Sequence, residues 1–209
     1  MYLREVWDSG NDSGGLSTGE TEEVTLGMIE NAQKPQFVDQ RTWTKVGNIV
    51  DAMRYLRVTS LCGASSEPPA RLTVDVIKNV HYSIGKTLIA DAGNFRTIEA
   101  GAAQTSVIFL PSARIEKRLA TLVNFIANGL DAVATESDRV KRLKGALSLA
   151  ALFLSEFLYI HPFANGNGRC ARLLVSFLLS RFCVVPLSLS LQRGALLDLL
   201  VLSQQRRDH

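Results

Sequence analysis

A histidine, a glycine-rich turn and two arginines fall within thirteen residues, Ile160-His161-Pro162-Phe163-Ala164-Asn165-Gly166-Asn167-Gly168-Arg169-Cys170-Ala171-Arg172. Together they place a proton acceptor beside a site for phosphate. The ring of Pro162 disfavours the right-handed helical region for the residue before it, so the apolar helix leading in should stop at His161. Gly166-Asn167-Gly168 can take positive backbone dihedrals cheaply, which lets consecutive amides point into one concavity and open a helix whose N-terminus favours anions. Arg169 and Arg172 are three residues apart, so on that helix they occupy neighbouring faces of its first turns. Each guanidinium can hold two phosphate oxygens.

Each part also has an ordinary reading. A Gly-Asn-Gly turn is commonly just a turn, a His before Pro commonly ends a helix, and helix-surface arginines are commonly solvated. Their order and tight spacing favour the anion site, because a fold rarely needs all of them together unless something negative is held.

The run His161-Pro162-Phe163-Ala164-Asn165-Gly166-Asn167-Gly168-Arg169-Cys170-Ala171-Arg172 resembles the signature of the Fic family, His-x-Phe-x-(Asp/Glu)-Gly-Asn-Gly-Arg-x-x-Arg, departing from it only at Asn165. Upstream, Gly93-Asn94-Phe95-Arg96 resembles the element that precedes the family's substrate-binding flap, and Val107 to Pro111 resembles the stretch on its far side. The resemblance covers roughly Leu72 to Leu191. It implies a protein adenylyltransferase that moves AMP from ATP, with Mg²⁺ or Mn²⁺, to a Ser, Thr or Tyr hydroxyl of a target protein. It further implies that His161 is the general base, a task suited to a side chain whose ordinary pKa lies near operating pH. Phe163 would anchor the loop in the core. Gly166, Asn167 and Gly168 would cradle the phosphates through backbone amides and the Asn side chain, and Arg169 and Arg172 would hold the outer phosphates.

Asn165 stands where the family carries an acidic residue that helps hold the metal, so it is the candidate metal ligand here. Mg²⁺ prefers carboxylate and phosphate oxygens, and Asn offers a neutral carbonyl. The alternatives to adenylyl transfer are therefore a Fic-fold nucleotide-binding module of low or no activity, and transfer of another phosphate-containing moiety. Many members carry an inhibitory helix whose Glu competes for the second motif arginine. Glu30-Asn31 resembles its end, with Leu26 where Ser or Thr is expected, which makes Glu30 a candidate inhibitory residue. The runs Arg96-Thr97-Ile98 and Ser106-Val107-Ile108-Phe109 flank a loose tip and read as a hairpin, similar to the family's flap, whose edge can pair with an extended target segment.

Helices must position these parts. Apolar residues recur at three- and four-residue steps over Thr42 to Leu56, Leu72 to Leu88, Ile115 to Asp131, Asp138 to Tyr159, Asn167 to Phe182 and Gln192 to Gln204, with a shorter stretch over Val24 to Gln33. Phe125 is expected on an inner face, as are Leu143, Leu147 and Leu152. His81, within the second of the long helices, reads as a satisfied structural histidine. The expected fold is all-α, a Fic-like helical bundle with a short β-hairpin flap. Residues 1–41 read as an N-terminal segment combining a linker rich in Gly, Ser, Thr and acid with the candidate inhibitory helix, and residues 42–209 as the helical domain.

With 209 residues, 46% of them hydrophobic, the chain can fill one core. A net charge of +3 with interspersed signs implies no polyanion-binding stripe, so nucleic acid is not expected as a partner. Cys62, Cys170 and Cys183 lack metal-type spacing and fit a reducing compartment. The first residues are charged where a signal peptide would be apolar, and no membrane partner is expected. The expected location is the cytoplasm, with export as an effector left open, and self-association into a homo-oligomer is compatible with all of this.

Overall fold

A computed structural model describes residues 39–56, 71–101 and 108–183. The described residues form five α-helices: α1 (Gln40–Leu56), α2 (Val74–Gly85), α3 (Ile115–Ala134), α4 (Arg139–Ile160) and α5 (Asn167–Leu179), with a 3₁₀ turn (Ser112–Arg114) leading into α3. The expected mostly helical architecture is what is found. The stretches at Val24 to Gln33 and Gln192 to Gln204, together with Glu30, Cys62 and Val107, lie outside the described residues.

Helix boundaries are set by local chemistry. Thr73 caps α2 by accepting from the Val76 amide at 3.1 Å, which sets the start two residues later than the apolar rhythm suggests. The same helix ends at Gly85, earlier than its apolar pattern, because the chain turns at Thr87 (φ 65°) and the Asn48 side chain of α1 draws off the carbonyl of Lys86 at 2.7 Å. Asp138 caps α4 through the amides of Val140 and Lys141. Helices α3 and α4 pack closely: a Cβ on Gly145 would stand 2.9 Å from a Val133 methyl, and one on Gly129 3.0 Å from Leu149. α4 and α5 are joined by a short loop and are also in contact, so α4 is shared between α3 and α5.

The core is built from Ile49 and Leu56 of α1, Ile77 and Ile84 of α2, Leu119 and Ile126 of α3, Phe153 and Phe157 of α4 and Leu173 of α5, with Phe163 from the α4–α5 loop at its centre. α5 is buried on nearly every face, as its all-round apolar sequence requires. α4 differs from expectation. Leu143, Leu147 and Leu152 stay about 40% exposed, since the helix meets α3 and α5 on one side only among the described residues. Phe125 of α3 is likewise exposed, because the buried stripe runs through Leu119, Leu122, Val123 and Ile126, and Phe125 falls beside it. By length and composition α4 is able to cross a membrane, but here it packs as a helix of the bundle.

The hairpin is reduced, among the described residues, to one antiparallel bridge between Gly101 and Ile108, with the Phe109 amide donating to the Ala100 carbonyl at 3.1 Å. The pairing therefore lies closer to the tip than the runs Arg96–Ile98 and Ser106–Phe109 suggest. Arg96 is drawn away from it, its amide donating to the Pro162 carbonyl at 2.9 Å.

Candidate active site

The loop between α4 and α5 is pinned at four points. Pro162 bars the right-handed region to His161, which ends α4 in the left-handed region (φ 47°, ψ 59°), a conformation that costs energy for a side chain with a Cβ. His161 stays there because both its backbone groups are held. Its amide donates to the Phe157 carbonyl at 3.0 Å and its carbonyl accepts from Arg96 Nε at 2.8 Å. The Arg96 side chain, fully buried, also donates to the carbonyls of Ile98 (2.7 Å), Leu110 and Ile160 (3.4 Å). One guanidinium thus ties the two arms of the flap to the C-terminal end of α4, where a positive charge also suits the helix dipole. The sequence places Arg96 in a family-like element without revealing its task. The available signal is a charged residue directly after an apolar Phe95 in a short irregular stretch.

The His161 ring lies face to face on Phe109, centroids 3.8 Å apart and planes 6° from parallel. Its Nδ1 is buried and makes no hydrogen bond of ordinary geometry, although the nearby Leu158 carbonyl favours a proton there. Burial outweighs that carbonyl, and with a smaller contribution from the Arg96 charge it pulls the imidazole pKa down to about 4. The ring is neutral at neutral pH, so it can accept a proton.

His81 has both nitrogens engaged, as expected of a structural histidine. Its Nδ1 accepts from the Gly93 amide at 2.9 Å, so Nε2 carries the proton and donates to the Asn165 carbonyl at 2.8 Å. Its ring stacks on Phe163 at 3.6 Å and 2°. Burial lowers its pKa to about 4 against the opposing pull of that carbonyl, with Arg169 lowering it further. A Cβ at Gly166, whose φ is +81°, would stand 3.3 Å from His81 Nε2, so the turn has both a backbone and a packing reason for glycine.

Asn167 is placed otherwise than expected. Its Oδ1 accepts from the Phe163 amide at 3.0 Å and its Nδ2 donates to the Phe163 carbonyl at 2.7 Å, both buried, so the side chain staples the loop and does not face an anion. What the segment offers an anion is backbone: Gly166 caps α5 with no side-chain acceptor, and the first-turn amides have no partner within the helix. The Arg172 guanidinium folds back over Gly168, where a Cβ would stand 3.6 Å from Nη1. Arg169 is half-buried, and loss of water lowers its pKa. No carboxylate pairs with it among the described residues. Lys45 of α1, which sequence reasoning missed, joins this cluster. Its pKa is lowered first by burial and then by the charges of Arg41 and Arg169, against a weaker pull from Asp39. Positive charge from two helices therefore converges near the N-terminus of α5.

Asn165 is exposed, and its Oδ1 accepts from the Gly166 amide at 2.7 Å. Among the described residues no group of three or more His, Cys, Asp or Glu side chains comes together to hold a metal ion. Asn165 offers a divalent cation one neutral oxygen that is already hydrogen-bonded, which does not make a metal site by itself.

Comparison with known proteins bears on the family and the fold. The Fic/DOC family model matches residues 71–179. The chain is 27% identical over 186 residues to protein adenylyltransferase fic-1 of Caenorhabditis briggsae, covering 86% of this chain and 32% of that protein. Its fold resembles Fic-1 (residues 134–508) from C. elegans, with a TM-score of 0.62 at 21% identity over 86% of this chain and 47% of that one. A Fic family protein from Desulfovibrio desulfuricans G20 gives a TM-score of 0.61 at 19% identity, over 99% of this chain and 53% of that one. The chain spans about a third of the length of the curated relative and about half of each solved chain. With the family model spanning more than half of its residues and the helical fold shared, the chain belongs to the Fic/DOC family.

Proposed function

We propose that the chain is a protein adenylyltransferase, moving AMP from ATP to a Ser, Thr or Tyr hydroxyl of a target protein and releasing diphosphate. The observation that carries this is a neutral, half-buried imidazole held at the end of α4, one short loop before the cationic N-terminus of α5. Membership of the family supports a transferase, and the adenylyltransferase relative supports AMP as the moiety.

In this mechanism the phosphates of ATP lie against the first-turn amides of α5 contributed by Asn167 and Gly168, below the Gly166 turn, with Arg169 and Arg172 gripping the outer phosphates. With Nδ1 of His161 buried, Nε2 is the nitrogen left for substrate. The target hydroxyl oxygen attacks the α-phosphorus, its proton passes to Nε2, and the bond from the α-phosphorus to the bridging oxygen breaks as diphosphate leaves. The arginines neutralise charge building on the leaving group, so positioning and electrostatics supply most of the acceleration. A metal arrives with the nucleotide if it takes part, and Asn165 lends it at most one neutral oxygen.

The test is intact-protein mass spectrometry of the chain with ATP, alone and with cell extract. The expected result is gain of one AMP on the chain or on an extract protein, abolished by His161→Ala. Gain from another nucleotide alone would replace the moiety. A second reading, a nucleotide-binding module without turnover, is favoured by the state of Asn165, and binding of ATP with no mass gain anywhere would establish it.

A further inference from the structure

We infer that Phe109 is a positioning residue for the base, joining the flap to the imidazole of His161; this rests on the adenylyltransferase reading above.

A histidine acting as a general base is usually oriented through its second nitrogen, by a hydrogen bond to a carboxylate or a carbonyl. In His161 that device is weak, because the Leu158 carbonyl near the buried Nδ1 lies outside ordinary hydrogen-bond geometry. The torsion that swings an imidazole about its Cβ–Cγ bond has broad wells, so something else must fix the ring plane. Phe109 does so. Its ring, only 5% exposed, lies flat on the imidazole at 3.8 Å and 6°.

The backbone of the same residue closes the flap. Its amide donates to Ala100 next to the Gly101–Ile108 bridge, and the Leu110 amide beyond it donates to the Tyr159 carbonyl at 3.2 Å. The flap residues on either side are open: Ile98 and Ile108 are each 69% exposed. A segment that seats on the flap is therefore one residue away from the side chain that sets the imidazole plane. The phosphate-holding residues of α5 are not part of this connection.

The consequence is a split between turnover and nucleotide binding. Phe109→Leu keeps apolar bulk and removes the flat face, whereas Phe109→Tyr keeps the face. In the full chain, Phe109→Leu is expected to lower kcat about tenfold to a hundredfold, as misorientation of a reacting group does, with KM for ATP within about twofold of wild type. Phe109→Tyr is expected to recover most of the loss. In parallel, NMR of the histidine ring protons should show His161 shifted upfield by the aromatic ring current in wild type and Phe109→Tyr, and not in Phe109→Leu. An unchanged kcat in Phe109→Leu, an equal loss of kcat and ATP binding, or a Phe109→Tyr no better than Phe109→Leu would overturn the role. If the wild type transfers nothing, the adenylyltransferase reading falls and takes the base-positioning role with it; if it transfers AMP and Phe109→Leu keeps the wild-type kcat, the positioning role alone is overturned.

Discussion

Replacing Arg96 by Met should loosen the active loop and the flap together, and its cost can be worked from the contacts. Met has similar length and no donors, so the carbonyls of His161 at 2.8 Å, Ile98 at 2.7 Å and Leu110 lose their partner, and that of Ile160 loses a weaker one at 3.4 Å. A buried acceptor left unsatisfied costs about 1–3 kcal/mol, and three such groups would sum to about 3–9 kcal/mol. Two corrections reduce this. Burying the guanidinium is itself expensive, as its lowered pKa indicates, and that cost is relieved on substitution. The ion pair to Glu99 spans 3.9 Å to a carboxylate that is 64% exposed, so losing it matters little. The net loss should be about 3–5 kcal/mol, a large share of the stability of an ordinary domain. For a chain of this size that corresponds to a drop in Tm of roughly 6–20 °C. Arg96→Lys should recover only part, since one ammonium nitrogen cannot reach carbonyls that three separate guanidinium nitrogens serve. Urea denaturation monitored by circular dichroism measures both variants. A loss below about 1 kcal/mol in Arg96→Met would mean that water or main-chain rearrangement satisfies those carbonyls, and the account of Arg96 as the tie between flap and loop would be refuted.

Acid should destabilise the fold through His81 and His161, whose folded pKa values near 4 lie below the ordinary 6.5. The unfolded chain then binds more protons between these values, so stability is full above pH 6.5 and falls as pH drops toward 4, by at most roughly 3 kcal/mol for each ring; urea midpoints that stay flat from pH 7 to 4 would contradict the burial argument. Asn167→Ala removes both bonds to the Phe163 backbone and should cost about 2–4 kcal/mol, read by thermal melting. Asn165→Asp places a carboxylate where the chain offers a neutral oxygen, and should raise the rate of AMP gain with Mg²⁺ or Mn²⁺ about tenfold, measured by mass spectrometry, with an unchanged rate arguing against any metal role at this position. Glu30→Gly should raise auto-modification if that carboxylate restrains the nucleotide site, and equal rates would remove it as an inhibitory residue.

The helices were legible because burial imposes a period. The stripes through Ile49 to Leu56, Val76 to Ile84 and Leu119 to Ile126 fell where apolar spacing put them, and the break at Pro162 arose from a steric clash that needs no tertiary context. Spacing could not tell a covered apolar face from an open one. Leu143, Leu147 and Leu152 carry the same signal as Phe153 and Phe157, and only the positions of α3 and α5 separate them.

Within the site the same distinction holds between what a residue can do and what its neighbours leave it free to do. Asn167 can in principle donate to a phosphate, but Phe163 presents an amide and a carbonyl at the right spacing and takes both of its polar atoms. Arg96 looked like one cation among many, and its task emerges only where the end of α4 and both flap arms meet. Lys45 was invisible for a related reason: α1 lies more than a hundred residues before α5 in sequence, and the approach of Lys45 to Arg169 is made by packing. His161 could be singled out as a candidate proton acceptor from its place before proline and beside a glycine turn, and the family resemblance supplies the general-base role proposed for it. Its readiness as a base, a neutral ring at pH 7, depends on desolvation by surroundings that include a phenylalanine fifty-two residues upstream, which no local pattern around His161 encodes.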